Sequence, residues 1–144
     1  MTFDPWAYAG DTYPDWVIRF DHLHGIPEIM CWRRRVILLE REHGRDRRRC
    51  SLTHAIGHIE LEHRGGEFDT KSEAAANRWA AKMLIDLEVL ADVLAWNGWR
   101  INEATATDLK VDLETLINRV ERHHLHPAEL AYLRRRRSQM EDAA

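Results

Sequence analysis

Cysteine is scarce in this chain of 144 residues: there are two, Cys31 and Cys50. They form neither a Cys-x-x-Cys pair nor a zinc-ribbon spacing, so neither a redox dithiol nor a cysteine-based finger is encoded. Two thiols in a chain of this size point to a reducing compartment. No apolar run approaches the ~20 residues of a membrane span. The opening, MTFDPWAYAGDTYPDW, lacks both a basic start and an apolar stretch, so it does not read as a secretory signal. Strong net charge is missing too. The 24 acidic and 21 basic residues leave -3, which gives no global pull toward nucleic acid or an anionic membrane. The expectation is a soluble, cytoplasmic protein of about one domain.

The basic residues that are present cluster locally, at 33–35, 45–49 and 134–137. Such runs read as solvated surface or helix flanks. The first forty residues are rich in β-branched and aromatic side chains. DWVIRF (15–20), IMCW (29–32) and RVILLE (35–40) read as strands of a small antiparallel sheet. Beyond REHGRD the periodicity becomes helical, with Leu52, Ile56, Ile59 and Leu61 recurring between Arg47 and His63. Gly65-Gly66 is the expected helix stop, and Ser72 the expected cap of the next helix, EAAANRWAAKMLIDL. Further helices follow in LEVLADVLAW, NEATATDL, DLETLINRVERHH and PAELAYLRRRR. A sheet followed by helices defines the α+β class. The expected division is a core over 1–97 with a helical segment over 98–144 packed on it.

Within the first long helix stands HAIGH, residues 54–58. His54 and His58 are four apart, on one helical face, and can share one metal ion. This is the outline of the zinc-protease pattern His-Glu-x-x-His, with Ala55 where the glutamate belongs. Zinc in a catalytic site takes three protein ligands and leaves a fourth position open. Glu73, near the start of the next helix, is the expected third ligand. Asn77 lies one turn further on the same face. A ligating histidine needs an acceptor for its second ring nitrogen, and the Asn77 amide oxygen is the candidate acceptor for His54. His63 has the wrong spacing for a metzincin third histidine. Its expected place is a polar helix end. His22, His24, His43, His123, His124 and His126 show no spacing that suggests a site.

RRRCSLTHAIGHIELEH followed by EAAANRWAAKMLI resembles the ImmA/IrrE family of zinc metallopeptidases. The second motif stands here as Glu73, Ala76, Asn77, Trp79, Ala80, Met83 and Leu84, with Trp79 replacing the usual phenylalanine. The preceding β-rich segment and the later LEVLADVLAW and ATDLKVDLETLINRV are similar to the actinobacterial and phage branch. The resemblance implies a zincin-like helical core and a zinc-dependent endopeptidase. It also implies a protein partner, a helix-turn-helix repressor of a phage or mobile element. Carried over by position, His54, His58 and Glu73 are the Zn2+ ligands and Asn77 supports them.

Ala55 separates binding from catalysis. In such a site the glutamate takes a proton from the metal-bound water and passes it to the leaving amine. A positioned acid–base is worth ~10²–10⁴-fold, and a methyl group cannot do this. Glu62 lies about 12 Å along the helix axis from His54 and cannot substitute. Glu60 points elsewhere. Glu67 and Asp69, in the following loop, remain as candidate bases. The alanine is either an engineered silencing change or a natural variant that keeps the metal for structure or binding. Zinc binding with poor or no hydrolysis is expected in both cases. The alternatives are a non-catalytic protein that sequesters a repressor and a DNA-binding accessory factor. The second would use INEATATDLKVDLETLINRV as a helix-turn-helix, with a core of Ala106, Leu109, Val111, Leu116 and Ile117. Asp112 and Glu114 at the start of its recognition helix would repel phosphates, so nucleic acid is not the expected partner.

Overall fold

The computed structural model describes residues 2–64 and 69–143. By its contacts the chain divides after Leu84 into two compact units. The helix LEVLADVLAW belongs to the second of them.

The first unit opens with helix α1, Pro5–Thr12. Asp4 caps it, its Oδ1 accepting from the amides of Trp6 at 2.9 Å and Ala7 at 3.2 Å. Pro5 takes the first turn, where its missing N–H costs nothing. Three strands follow: β1 (Val17–Asp21), β2 (Glu28–Cys31) and β3 (Val36–Glu40). Their order is β1-β3-β2. The sheet is mixed, which corrects the expected antiparallel pairing. β2 and β3 pair antiparallel as expected, with Glu28 opposite Leu39. β1 instead runs parallel to β3, with Val17 opposite Val36. Side-chain apolarity accounts for the order. Ile37 and Leu39 of β3 are fully buried, whereas β1 is mostly exposed and β2 half-exposed. The most apolar strand takes the centre, and the two more polar strands take the edges.

Helix α2, Arg45–Glu60, lays Leu52, Ala55, Ile56 and Ile59 against Ile37 and Leu39 of the sheet and Ala9 of α1. It ends before the glycine pair proposed as its stop. Glu62 adopts a left-handed φ of 56°. The His63 amide donates to the His58 carbonyl at 2.9 Å, and the Glu62 amide to that of Ile59 at 3.1 Å. This is a Schellman closure built on a glutamate instead of a glycine. Gly65, Gly66 and Glu67 lie outside the described residues. Helix α3, Thr70–Leu84, follows. Its cap is Asp69, whose Oδ1 accepts the Ser72 amide at 2.7 Å. Ser72 is thus inside the helix, and the capping side chain is the carboxylate three residues before it.

The second unit is helical: α4 (Leu87–Trp96), α5 (Glu103–Asp108), α6 (Leu113–Val120), a 3₁₀ turn over Arg122–His124, and α7 (Pro127–Ala143). Asp86, Asn102 and Asp112 cap α4, α5 and α6 with their side chains. Ala106, Leu109, Val111 and Leu116 are buried as expected, but Ile117 is 48% exposed. Between α5 and α6, Lys110 takes the left-handed φ of 58° that a glycine often supplies. Arg119, the first cation of α6, turns inward. It donates from Nε to the Ile85 carbonyl at 2.9 Å and from Nη2 to Glu129 at 2.8 Å.

Among the described residues, no helix is long and apolar enough to cross a membrane.

Candidate metal centre

The crossing of α2 and α3 builds the site. His54 and His58 stand one turn apart on α2, with ring centroids 4.7 Å apart and planes 74° from parallel. Small residues let α3 come close. A β-carbon on Gly57 would stand 3.2 Å from both the Ala76 carbonyl oxygen and Cε3 of Trp79. That approach brings Glu73, one turn before Ala76–Asn77, over the two imidazoles. Its Oε2 is 3.0 Å from His54 Nε2, and its Oε1 is 3.1 Å from His58 Nε2. One ligand atom from each of the three residues falls within 4.8 Å of the others. The three side chains singled out from the sequence therefore converge.

The three side chains shift one another's protonation. His58 is 1% exposed and His54 16%, whereas Glu73 is 40% exposed. Burial disfavours charge on His54, but the carboxylates of Glu28 and Glu73 outweigh it and lift its pKa to about 9. Burial, with the His54 charge beside it, pushes His58 down to about 4. The His54 imidazole holds the Glu73 carboxyl below its ordinary value. His54 Nε2 is buried 3.0 Å from Glu73 Oε2, and among the described residues no partner meets it in hydrogen-bond geometry. A buried polar atom of that kind requires an account, and a shared cation supplies one. Two imidazoles and a carboxylate are the donor set that zinc accepts. The residues present fit the metal.

The supporting shell differs from expectation. Glu28 of β2, not Asn77, faces His54 Nδ1 in a short contact. Among the described residues no hydrogen bond joins Asn77 to His54. Glu28 lies 26 positions before His54, and nothing in the local pattern of HGIPE marks it. On the other histidine, His58 Nδ1 lies 2.9 Å from His63 Nδ1. The Schellman closure at Glu62 is what turns His63 back over that ring. Of the two candidate bases, Glu67 lies outside the described residues, and neither Asp69 nor the neighbouring Glu60 is aimed at the ligands. Glu60 accepts from the hydroxyls of Tyr8 and Tyr13, and Asp69 caps α3. Ala55 is fully buried within the apolar cluster of α1, α2 and β3. A second group, Glu121, His123 and His124, also brings three potential ligand atoms within 4.8 Å. It was not evident from spacing, and His123 is 75% exposed there.

A His-x-x-x-His helix crossed by a glutamate-bearing helix, beside a small sheet, defines a metallopeptidase-like domain. Comparison with family patterns identifies which. Residues 12–121 match the peptidase M78 family, described as the IrrE N-terminal-like domain, and the chain belongs to that family. No curated protein and no solved structure matches it. Membership supports a metal-dependent, peptidase-like function with a protein as its substrate.

Proposed function

We propose that this protein binds Zn2+ through His54, His58 and Glu73 and uses the site to engage a helix-turn-helix repressor of a phage or mobile element in the cytoplasm. Its peptide hydrolysis is weak or absent. The observation that carries this reading is the convergence of the three donors around a helix face whose general-base position is Ala55.

Zinc bound there would supply Lewis acidity toward a carbonyl oxygen or a water. The chain's own residues do the rest. His54 and His58 offer ring nitrogens from a helix pinned against the sheet. Glu73 contributes one negative charge and closes the set from α3. No carboxylate extends from position 55 to accept a proton. Glu60 and Asp69 are held by Tyr8, Tyr13 and Ser72. Ala55 equally favours a second reading of the same cleft, in which the protein recognises and sequesters a repressor without cutting it.

Two measurements test the proposal. Metal analysis of protein grown in zinc-replete medium should find zinc, and its absence would overturn the metal reading. Purified helix-turn-helix repressors from the same genome should be bound but left intact. Rapid cleavage by the chain as it stands would overturn the claim of weak hydrolysis, and failure to bind any of them would remove the repressor as partner.

A further inference from the structure

We propose that Glu28 is a positioning residue of the metal centre: its carboxylate holds the Nδ1–H of His54, fixing the tautomer that presents Nε2 to the metal. The inference rests on the zinc-binding reading and goes beyond the ligand set.

The geometry leaves His54 one arrangement for a ligand. Nδ1 faces Glu28, and Nε2 faces Glu73. A neutral imidazole carries a single N–H, and an ionised carboxylate only accepts. Placing that proton on Nδ1 satisfies Glu28 and leaves the Nε2 lone pair directed at the position shared with His58 and Glu73. Carboxylate partners of this kind orient ligating histidines and raise their basicity.

Glu28 is well placed to do this. It is the first residue of β2, opposite the fully buried Leu39 of β3. The Glu40 amide donates to the carbonyl of Pro27 at 3.0 Å, fastening the chain just before it. The Glu28 side chain is 13% exposed. Its partner is therefore the ring, with little water competing. The charges also balance, because the carboxylates of Glu28 and Glu73 together offset a divalent cation beside buried, neutral imidazoles. A buried charge so compensated avoids most of the cost of an isolated one. On His58 the neighbour of Nδ1 is the His63 ring, 2.9 Å away. The two ligand histidines are thus held differently, His54 by the sheet and His58 by the end of its own helix.

The test is zinc affinity by competition with a chromophoric chelator, for the wild type, Glu28→Gln and Glu28→Ala. Glu28→Ala should weaken zinc binding ~10–100-fold. Glu28→Gln keeps an acceptor oxygen without the charge and should fall between. In the zinc-loaded wild type, nitrogen NMR should show His54 protonated at Nδ1. The Co2+-substituted spectrum should change in Glu28→Ala and be largely retained in Glu28→Gln. A purely structural role would lower stability in both variants while leaving affinity and the cobalt spectrum unaltered, and that result overturns the proposal. Should Glu28→Ala fail to fold, wild-type affinity in the near-isosteric Glu28→Gln together with an Nε2-protonated His54 overturns it. A wild type that binds no zinc would instead overturn the metal reading on which it rests.

Discussion

Gly57 and Ala76 face each other where α2 and α3 pack closely, and a β-carbon on the glycine would stand 3.2 Å from the alanine's carbonyl oxygen. The opposing atom is backbone, so it cannot swing aside. Gly57→Ala gains up to ~1 kcal/mol of helix propensity, which offsets much of a small displacement of α3. Gly57→Leu gains no more propensity and must part the helices. It should cost about 1–3 kcal/mol in urea unfolding. It should also weaken zinc binding, because Glu73 rides on the helix that is pushed away. Unchanged zinc affinity in a folded Gly57→Leu protein would separate the helix contact from the site.

Zinc binding should be coupled to the release of about one proton at pH 7. In the apoprotein His54, raised to about 9, is the doubly protonated imidazolium at that pH. His58, lowered to about 4, is already neutral. Glu73, shifted downward, is already ionised. The metal therefore displaces one His54 proton alone. Apparent affinity should rise about tenfold per pH unit between these two values, flatten above about 9, and fall more steeply below about 4 as His58 protonates. Calorimetry in two buffers of different ionisation heat counts the protons. A value near zero at pH 7 would show that His54 is neutral before the metal arrives.

The parts of this fold that could be read from the sequence are those fixed by neighbours along the chain. His54 and His58 share a helical face at any site in any fold, and Glu73 follows in the right order on the next helix. Strand positions were legible for the same reason, but strand partners were not. Nothing local in DWVIRF says that it will lie parallel to β3 rather than beside β2. That is decided by burial of Ile37 and Leu39, which places β3 in the middle. The end of α2 shows the same limit. A glycine pair is the stronger local stop signal, yet the Schellman closure forms earlier on Glu62. Asn77 was the sequence neighbour with suitable chemistry, but Glu28 occupies the ring nitrogen because the sheet brings β2 against α2.

Glu60 should prove to be the clasp between the N-terminal segment and the zinc helix. It sits in the last turn of α2 and accepts from the Tyr8 hydroxyl, in a short contact, and from that of Tyr13 at 2.5 Å. Glu60→Ala removes two hydrogen bonds to a charged group at a partly wet position, and about 1–2 kcal/mol of stability should be lost. The phenols report the change directly. The hydrogen bond to Glu60 is the largest cause of the raised Tyr8 pKa. Burial leads for Tyr13, with Glu60 next. Phenolate absorbance in Glu60→Ala should therefore appear at lower pH for both tyrosines. Identical tyrosine titration in both proteins would remove the clasp.

Ala55→Glu brings the two halves of the functional reading into one experiment. The methyl group of Ala55 is fully enclosed by the cluster that includes Ile37, Leu39, Leu52 and Ile56. A carboxylate there must either remain in apolar surroundings or reach toward the ligand face. The first is costly for an ionised group. The second is stabilised by a divalent cation between His54 and His58. The variant should therefore be less stable than the wild type as apoprotein, and zinc should recover more stability in it than in the wild type. Where the cleft is otherwise complete, cleavage of a bound repressor should rise by ~10²–10⁴, the usual worth of a positioned acid–base. Zinc-dependent stabilisation without cleavage would assign the cleft to binding alone. Neither effect would mean that position 55 points away from the metal, so that the missing glutamate would not explain weak hydrolysis.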